Sequence, residues 1–243
     1  MLYTQDMFPK YTKIENFEIA YFNQKELKLL EKEIFFNEIY EIKLDNNTPE
    51  IIDAGAYLGL ASIYFKKQYP NAKILAFEPN PNIFPLLEEN IAINNLKDIK
   101  IENYALGRKD SLRDFYIDSS ENNSFSTSGF IKNAWNGKQK TIPIKVKVRK
   151  LSKYINKDID LLKMDIEGAE REVLEELKNS GKLNFIKNII FEFHPSKKNT
   201  LDYLKNILIE NEMRVSVREG LEGKDDPLIL VVGEKSPKNI SNS

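Results

Sequence analysis

From residue 50 onward the chain alternates short apolar runs with longer stretches in which apolar positions return every three or four residues. The runs at 50–55, 73–79, 99–106, 160–165 and 188–194 are rich in Ile, Leu and Phe and predict β-strands. The stretches 59–68, 83–95, 169–181 and 199–212 predict amphipathic helices, the third of them stopped by Gly181. Strand followed by helix, repeated, is the pattern of βαβ units around a parallel sheet. The chain ends differently. The runs 213–219 and 227–234 flank a turn-rich GLEGKDD, and strands joined so briefly should be antiparallel neighbours.

Two regions depart from this rhythm. The first fifty residues mix aromatic and charged side chains, with Leu27, Leu30 and Ile34 spaced for one amphipathic helix; residues 1–49 read as an extension capping a domain at 50–235. Between the strand-like 114–118 and the alternating TIPIKVKVRK lies a polar, Ser- and Asn-rich stretch that cannot bury its own backbone, so 119–140 is expected to be a mobile loop or a lid. The charges of KVKVRK alternate with valines, as on a strand with one solvated face. Residues 236–243 read as a frayed tail.

Composition narrows the chemistry. The 36 Lys and Arg nearly cancel the 37 Asp and Glu, so global charge draws the chain to neither nucleic acid nor an anionic membrane, and the expected partner is a small molecule. The absence of cysteine excludes disulfides, thiolate metal sites and cysteine nucleophiles together. No run approaches the roughly 20 apolar residues of a membrane span, and the N-terminus lacks a basic start followed by an apolar core; the expected compartment is the cytoplasm. Nothing in the pattern specifies an oligomeric state.

The candidate chemistry gathers where the strands end. IIDAGAYLGLAS (51–62) is a buried strand, a Gly-x-x-x-Gly turn and the start of a helix, an arrangement that opens a nucleotide-sized crevice. Glycine there takes backbone angles closed to other residues and lets a ligand approach the main chain, with helix amides expected to face it. Asp53, Ala54, Gly55, Ala56, Tyr57 and Gly59 form this wall. Glu78, followed by Pro79, stands 23 residues beyond Gly55, where it can accept hydrogen bonds from both hydroxyls of an unphosphorylated adenosine ribose. Tyr104, Ala105 and Leu106 either flank an adenine or pack the third strand end. The G-x-G-x-x-G of a pyrophosphate-binding dehydrogenase is absent, because Tyr57 stands where glycine would be needed. S-adenosylmethionine carries no phosphate and tolerates a side chain there.

The series IIDAGAYLGLAS, ILAFEPNP, NYALG, LLKMDIEGAEREVL and NIIFEFH resembles the FkbM-type methyltransferases from about Glu33 to His194, and KMDIEGAE is its most specific part. The resemblance implies an α/β, class I (Rossmann-like) methyltransferase: a mostly parallel seven-stranded sheet with an antiparallel last strand and helices on both faces. It also implies S-adenosyl-L-methionine as donor and O-methylation of a hydroxyl on a sugar, polyketide or other secondary metabolite. By the same resemblance Asp53, Gly55, Gly59 and Glu78 match cofactor-binding positions, and Asp165 matches the acidic residue beside the methyl donor. The identity of the acceptor does not carry over.

Transfer to a hydroxyl is helped by a base within reach of its proton. The candidates are Asp165, Glu192 and His194, the single histidine of the chain, whose ordinary pKa suits that task at neutral pH. Asp165 and His194 are expected on opposite sides of the acceptor hydroxyl. Glu192 and His194, two apart, should share one strand face. Glu167 is either an acceptor contact or a helix-start carboxylate favoured by the macrodipole. Trp135 either stacks on the acceptor or staples a long loop. Carboxylates beside a histidine are residue types that Mg²⁺ also uses, but their spacing is not diagnostic and no metal site is assigned. Two other classes stay open: a nicotinamide (NAD)-dependent oxidoreductase on a doubly wound sheet, and a non-catalytic S-adenosylmethionine-binding module.

Overall fold

The computed structural model describes residues 8–118, 128–132, 140–196, 199–219 and 228–235. The chain opens with a hairpin, β1 (Lys10–Ile14) and β2 (Phe17–Tyr21), followed by α1 (Gln24–Glu31). Strands and helices then alternate through β3 (Glu50–Ala54), α2 (Leu60–Gln68), β4 (Lys73–Phe77), α3 (Phe84–Ile93) and β5 (Ile99–Glu102). A side excursion follows, made of β6 (Ala105–Leu106), β7 (Ser111–Asp118) and β8 (Thr141–Arg149). The main sheet is completed by β9 (Leu161–Met164), α4 (Glu170–Asn179), β10 (Asn188–Glu192), α5 (Leu201–Ile209), β11 (Met213–Glu219) and β12 (Ile229–Lys235).

The main sheet has seven strands in the order β11-β12-β10-β9-β3-β4-β5. From β10 to β5 neighbours run parallel, while β12 is antiparallel to both β10 and β11, which is the sheet the resemblance implies. Successive side chains of a strand point to opposite faces. Ile51, Leu161 and Ile190 accordingly enter one apolar core with Leu27, Ile63 and Leu87 of the first three helices. Their neighbours Ile52, Leu162 and Phe191 enter a second core with Val173 and Leu177 of α4 and Leu204 of α5. Burial on both faces explains why these strands read as continuous apolar runs.

The N-terminal region holds more than the one helix expected. KYTKIENFEIAY turns back at Glu15, which takes φ 52°, and pairs with itself as β1–β2. After α1 the chain widens into a π-helical turn at Lys32–Phe36. Buried Asn90 of α3 holds the hairpin down. Its Oδ1 accepts from Ala20 N at 2.6 Å, and its Nδ2 donates to Ala20 O and to Leu58 O in the turn after β3.

The run 99–106 also divides. β5 stays in the main sheet, whereas Ala105 and Leu106 leave it to pair with β8 in a three-stranded sheet of order β6-β8-β7. There Val146 and Val148 are buried and Lys145 and Lys147 exposed, the one-sided burial that alternation predicts. β4, β9 and β10 stop at Phe77, Met164 and Glu192, so Glu78, Asp165 and His194 stand just past strand ends. Most of 119–140, including Trp135, lies outside the described residues, as do residues 220–227 and 236–243. Among the described residues no helix is long and apolar enough to cross a membrane.

Candidate active site

The turn after β3 is braced by its own surroundings. Gly55 N and Ala56 N both donate to Phe77 O, at 3.0 and 2.9 Å, and Gly59 N donates to Ala56 O at 2.7 Å. Tyr57, at φ 50°, gives its amide to Glu78 Oε2 at 2.9 Å and its hydroxyl to Glu26 of α1. The turn therefore supplies shape to the crevice, its amides at 55, 56, 57 and 59 being already bonded. Gly55 is required for a reason other than ligand approach: at φ 80°, a Cβ there would lie 1.7 Å from the carbonyl oxygen of Asp165.

Asp53 lies fully buried behind the turn. It accepts from Ser62 Oγ at 2.7 Å and sits 3.1 Å from Lys163 Nζ, which also donates to Gly55 O at 2.8 Å. Burial works against the charge on Lys163, but Asp53, Asp165 and Glu192 outweigh it and hold the ammonium pKa above the ordinary lysine value. Lysine in the apolar run LLKM is thus the cation that ties β9 to the turn after β3.

In front of the turn is a cleft of about 530 Å³, counting its open mouth. Of the residues expected to hold a cofactor, Gly55, Tyr57, Glu78, Pro79, Ala105, Leu106 and Asp165 border it, and Glu167 joins them. Asp53, Ala54, Ala56 and Gly59 do not; they shape the turn from behind. Phe115, Ser128 and Phe130 also line the cleft, although nothing in the pattern singled them out. Gly129 pairs with Tyr116, and Phe130 packs edge-on against Phe115 at 5.5 Å beneath the Arg113 guanidinium. Ser128 is 9% exposed and its Oγ has no hydrogen-bond partner among the described residues. At the β4 end, Glu78 Oε1 accepts from Asn80 N at 2.7 Å, yet burial outweighs both amide bonds and pushes its pKa up to about 7.

At the opposite end Asp165 and Glu167 line the cleft, and His194 and Glu192, which do not border it, stand behind them. After Asp165 the backbone turns through two left-handed positions, Glu167 (φ 51°) and Gly168 (φ 93°), which carries Glu167 back toward His194. His194 Nε2 lies 3.5 Å from Glu167 Oε2 and 4.0 Å from Asp165 Oδ1, so both carboxylates stand beside the imidazole. Its Nδ1 is 2.9 Å from Glu170 Oε1, a fully buried carboxylate that also accepts from Gly168 N and Asn199 Nδ2. Glu192 accepts from the hydroxyl of Tyr40 at 2.7 Å.

Crowding shifts the protons. Burial would depress the His194 pKa, but Glu167, Glu170 and Asp165 outweigh it and hold it well above the ordinary value. Burial pushes Glu167 and Glu192 up as well, with Asp165 adding to both. The donor atoms of Asp165, Glu167 and His194 fall within 4.8 Å of one another. Asp165 Oδ1 is shielded from solvent and accepts no hydrogen bond from the described residues. Glu170, Asn199 and Tyr40 carry no local mark in the sequence because each acts through a partner distant in the chain.

Comparison with known proteins gives a consistent picture. The family model described as methyltransferase FkbM domain matches residues 53–213. Methyltransferase 1 of Beauveria bassiana is 30% identical over 188 residues, spanning 71% of this chain and 75% of that protein. Methyltransferase sdnD of Sordaria araneosa is 30% identical over 208 residues, spanning 74% and 80%. Among solved structures, the methyltransferase FkbM of Methylobacillus flagellatus matches with a TM-score of 0.54 at 15% identity, over 76% of this chain and 44% of that one, a likeness of fold.

Proposed function

Since the chain belongs to the FkbM methyltransferase family, we propose that it transfers a methyl group from S-adenosyl-L-methionine to a hydroxyl of a small-molecule acceptor, such as a sugar, polyketide or other secondary metabolite. One observation carries the reading: a single cleft joins Glu78 at the end of β4 to an acidic cluster beyond β9. Glu78 would hold the ribose hydroxyls, and its amide bonds pre-set the carboxylate for that task. Asp165, with one shielded and unbonded oxygen, would face the positive sulfur. When bound, the donor supplies an electrophilic methyl on a sulfonium that becomes a neutral thioether on transfer.

A dinucleotide suits this cleft poorly. Its pyrophosphate would lie against a turn whose amides are bonded internally, beside carboxylates that repel it. A sulfonium is attracted by the same charges.

The remaining work falls to the chain's own groups. As the acceptor oxygen forms its new bond to carbon, its proton passes to His194 Nε2, with Asp165 and Glu167 stabilising the resulting imidazolium. The neutral ring needed for this grows in as pH rises through the raised His194 pKa, so the acid limb of the rate profile should lie above the ordinary 6.5. Glu192 is the alternative acceptor, and Trp135 and Glu167 are candidate acceptor contacts. Residues 1–49 act as a cap on the domain at 50–235; the bonds from Tyr57 to Glu26 and from Tyr40 to Glu192 support this reading. Ser128 and Phe130 in the cleft wall support a place for their segment beside the acceptor.

Titrations with S-adenosylhomocysteine and NAD, followed by thermal shift and calorimetry, test the donor. Saturable stabilisation by the first and none by the second is expected; stabilisation by NAD alone would overturn the assignment. Labelled methyl transfer to hydroxyl acceptors and not to matched amines tests the O-methyl part.

A further inference from the structure

The position of Glu170 is hard to explain as helix chemistry alone. It occupies the first residue of α4, where the macrodipole favours an acidic side chain even at the surface. Here the carboxylate is instead fully buried, which is costly unless every oxygen is answered. The answer comes from three donors. Gly168 N reaches Oε1 at 3.0 Å, Asn199 Nδ2 reaches Oε2 at 2.9 Å, and His194 Nδ1 lies 2.9 Å from Oε1. Asn199 Nδ2 also donates to His194 O at 2.6 Å, so one amide fixes both the carboxylate and the backbone that carries the ring. Gly168 N and Asn199 Nδ2 can only donate, which leaves Glu170 as acceptor and places the His194 proton on Nδ1.

From this juxtaposition we propose that Glu170 is the positioning residue of the reaction: with Asn199 it locks the His194 ring so that Nδ1 is always the donor and Nε2 alone faces Asp165 and Glu167 to receive the acceptor proton. The inference rests on the methyl-transfer reading, and it adds a residue that never touches donor or acceptor. The charged groups around the ring are Asp165 and Glu167 from the turn after β9, Glu170 from α4 and Glu192 from β10, with Lys163 facing the same carboxylates from beneath. Glu170 is the one among them that bonds the far side of the ring.

Because the chain has a single histidine, its imidazole can be read without assignment ambiguity by nitrogen NMR on protein labelled at histidine. The wild type should show the neutral ring protonated at Nδ1. A neutral ring protonated at Nε2 would overturn the proposal whatever any variant does. In Glu170→Gln, which keeps shape and an acceptor oxygen but not the charge, the His194 pKa should fall by about one unit or more. The acid limb of kcat should move down with it, while affinity for S-adenosylhomocysteine stays within about twofold. An unchanged tautomer and titration in Glu170→Gln would reduce Glu170 to a helix-end carboxylate and overturn the proposal. Failure of the wild type to bind S-adenosylhomocysteine would instead indict the donor assignment, since the nitrogen spectra do not depend on it.

Discussion

The two ends of the cleft are anchored by carboxylates of very different upbringing. Glu78 is set by backbone: both its oxygens receive main-chain amides, from Tyr57 and Asn80, and apolar walls surround it. The far end is set by side chains: Asp165 and Glu167 line it, and behind them Glu170 and Glu192 crowd around His194 and Lys163. Backbone amides cannot titrate but Glu78 can, and with its pKa pushed up to about 7 the first end should bind evenly only above that value. Side-chain clusters exchange protons, so the second end should carry the pH dependence of turnover. Binding and chemistry are thereby separated by the kind of atom that holds each carboxylate.

The most forceful way to test that separation is His194→Ala, which should lower turnover about 10²–10⁴-fold, as general-base losses do. Calorimetry should find its affinity for S-adenosylhomocysteine nearly unchanged; parallel losses of both would show the two ends to be one site. Glu78→Ala is the mirror experiment. It should weaken S-adenosylhomocysteine by about 1.5–3 kcal/mol, the range for hydrogen bonds to a charged group, with a smaller effect on kcat at saturating donor. Unaltered affinity would remove Glu78 from the binding end.

Stability against pH sharpens the same contrast more gently. Glu78, Glu167 and Glu192 have folded pKa values above their ordinary 4.5, and His194 has one above 6.5. Each group binds its proton more tightly when folded, so its stabilisation is complete below the ordinary value and is lost as pH rises through the raised one. The Tm of the ligand-free protein should therefore fall by a few degrees between about pH 5 and about pH 8. A flat profile would mean that the cluster does not retain its protons. The smallest effect belongs to Ser128→Ala. If its hydroxyl meets the donor, affinity should drop by about 0.5–1.5 kcal/mol, the worth of a neutral hydrogen bond; equal affinities would make Ser128 packing only.

Which parts were legible in the sequence follows from the range of the interactions involved. Strands buried on both faces, the helices between them and the closing antiparallel pair announce themselves in local periodicity, and the turn–Glu78 spacing is a local motif. The hairpin β1–β2 was harder to see because its outer face is half polar and its turn residue Glu15 is no glycine. Ser128 sits in a stretch with no period at all. Glu170 looks like any acidic residue at a helix start, and its partner His194 is 24 residues away. Lys163 did carry a signal: a lysine inside a run buried on both faces needs an anion at hand, and Asp53 is there.

The missing side chain at Gly55 has a wider consequence. Its amide hangs from Phe77, the residue before Glu78, its Cα presses on the carbonyl of Asp165, and Asp165 N in turn donates to Ala54 O. Glycine 55 is therefore the spacer block between the two anchors, fixing how far the ribose carboxylate stands from the reacting one. A misplacement of about 1 Å can cost 10²-fold in an oriented reaction. Even a methyl group at this position would push the two strand ends apart, and the whole ruler would be recut to the wrong length.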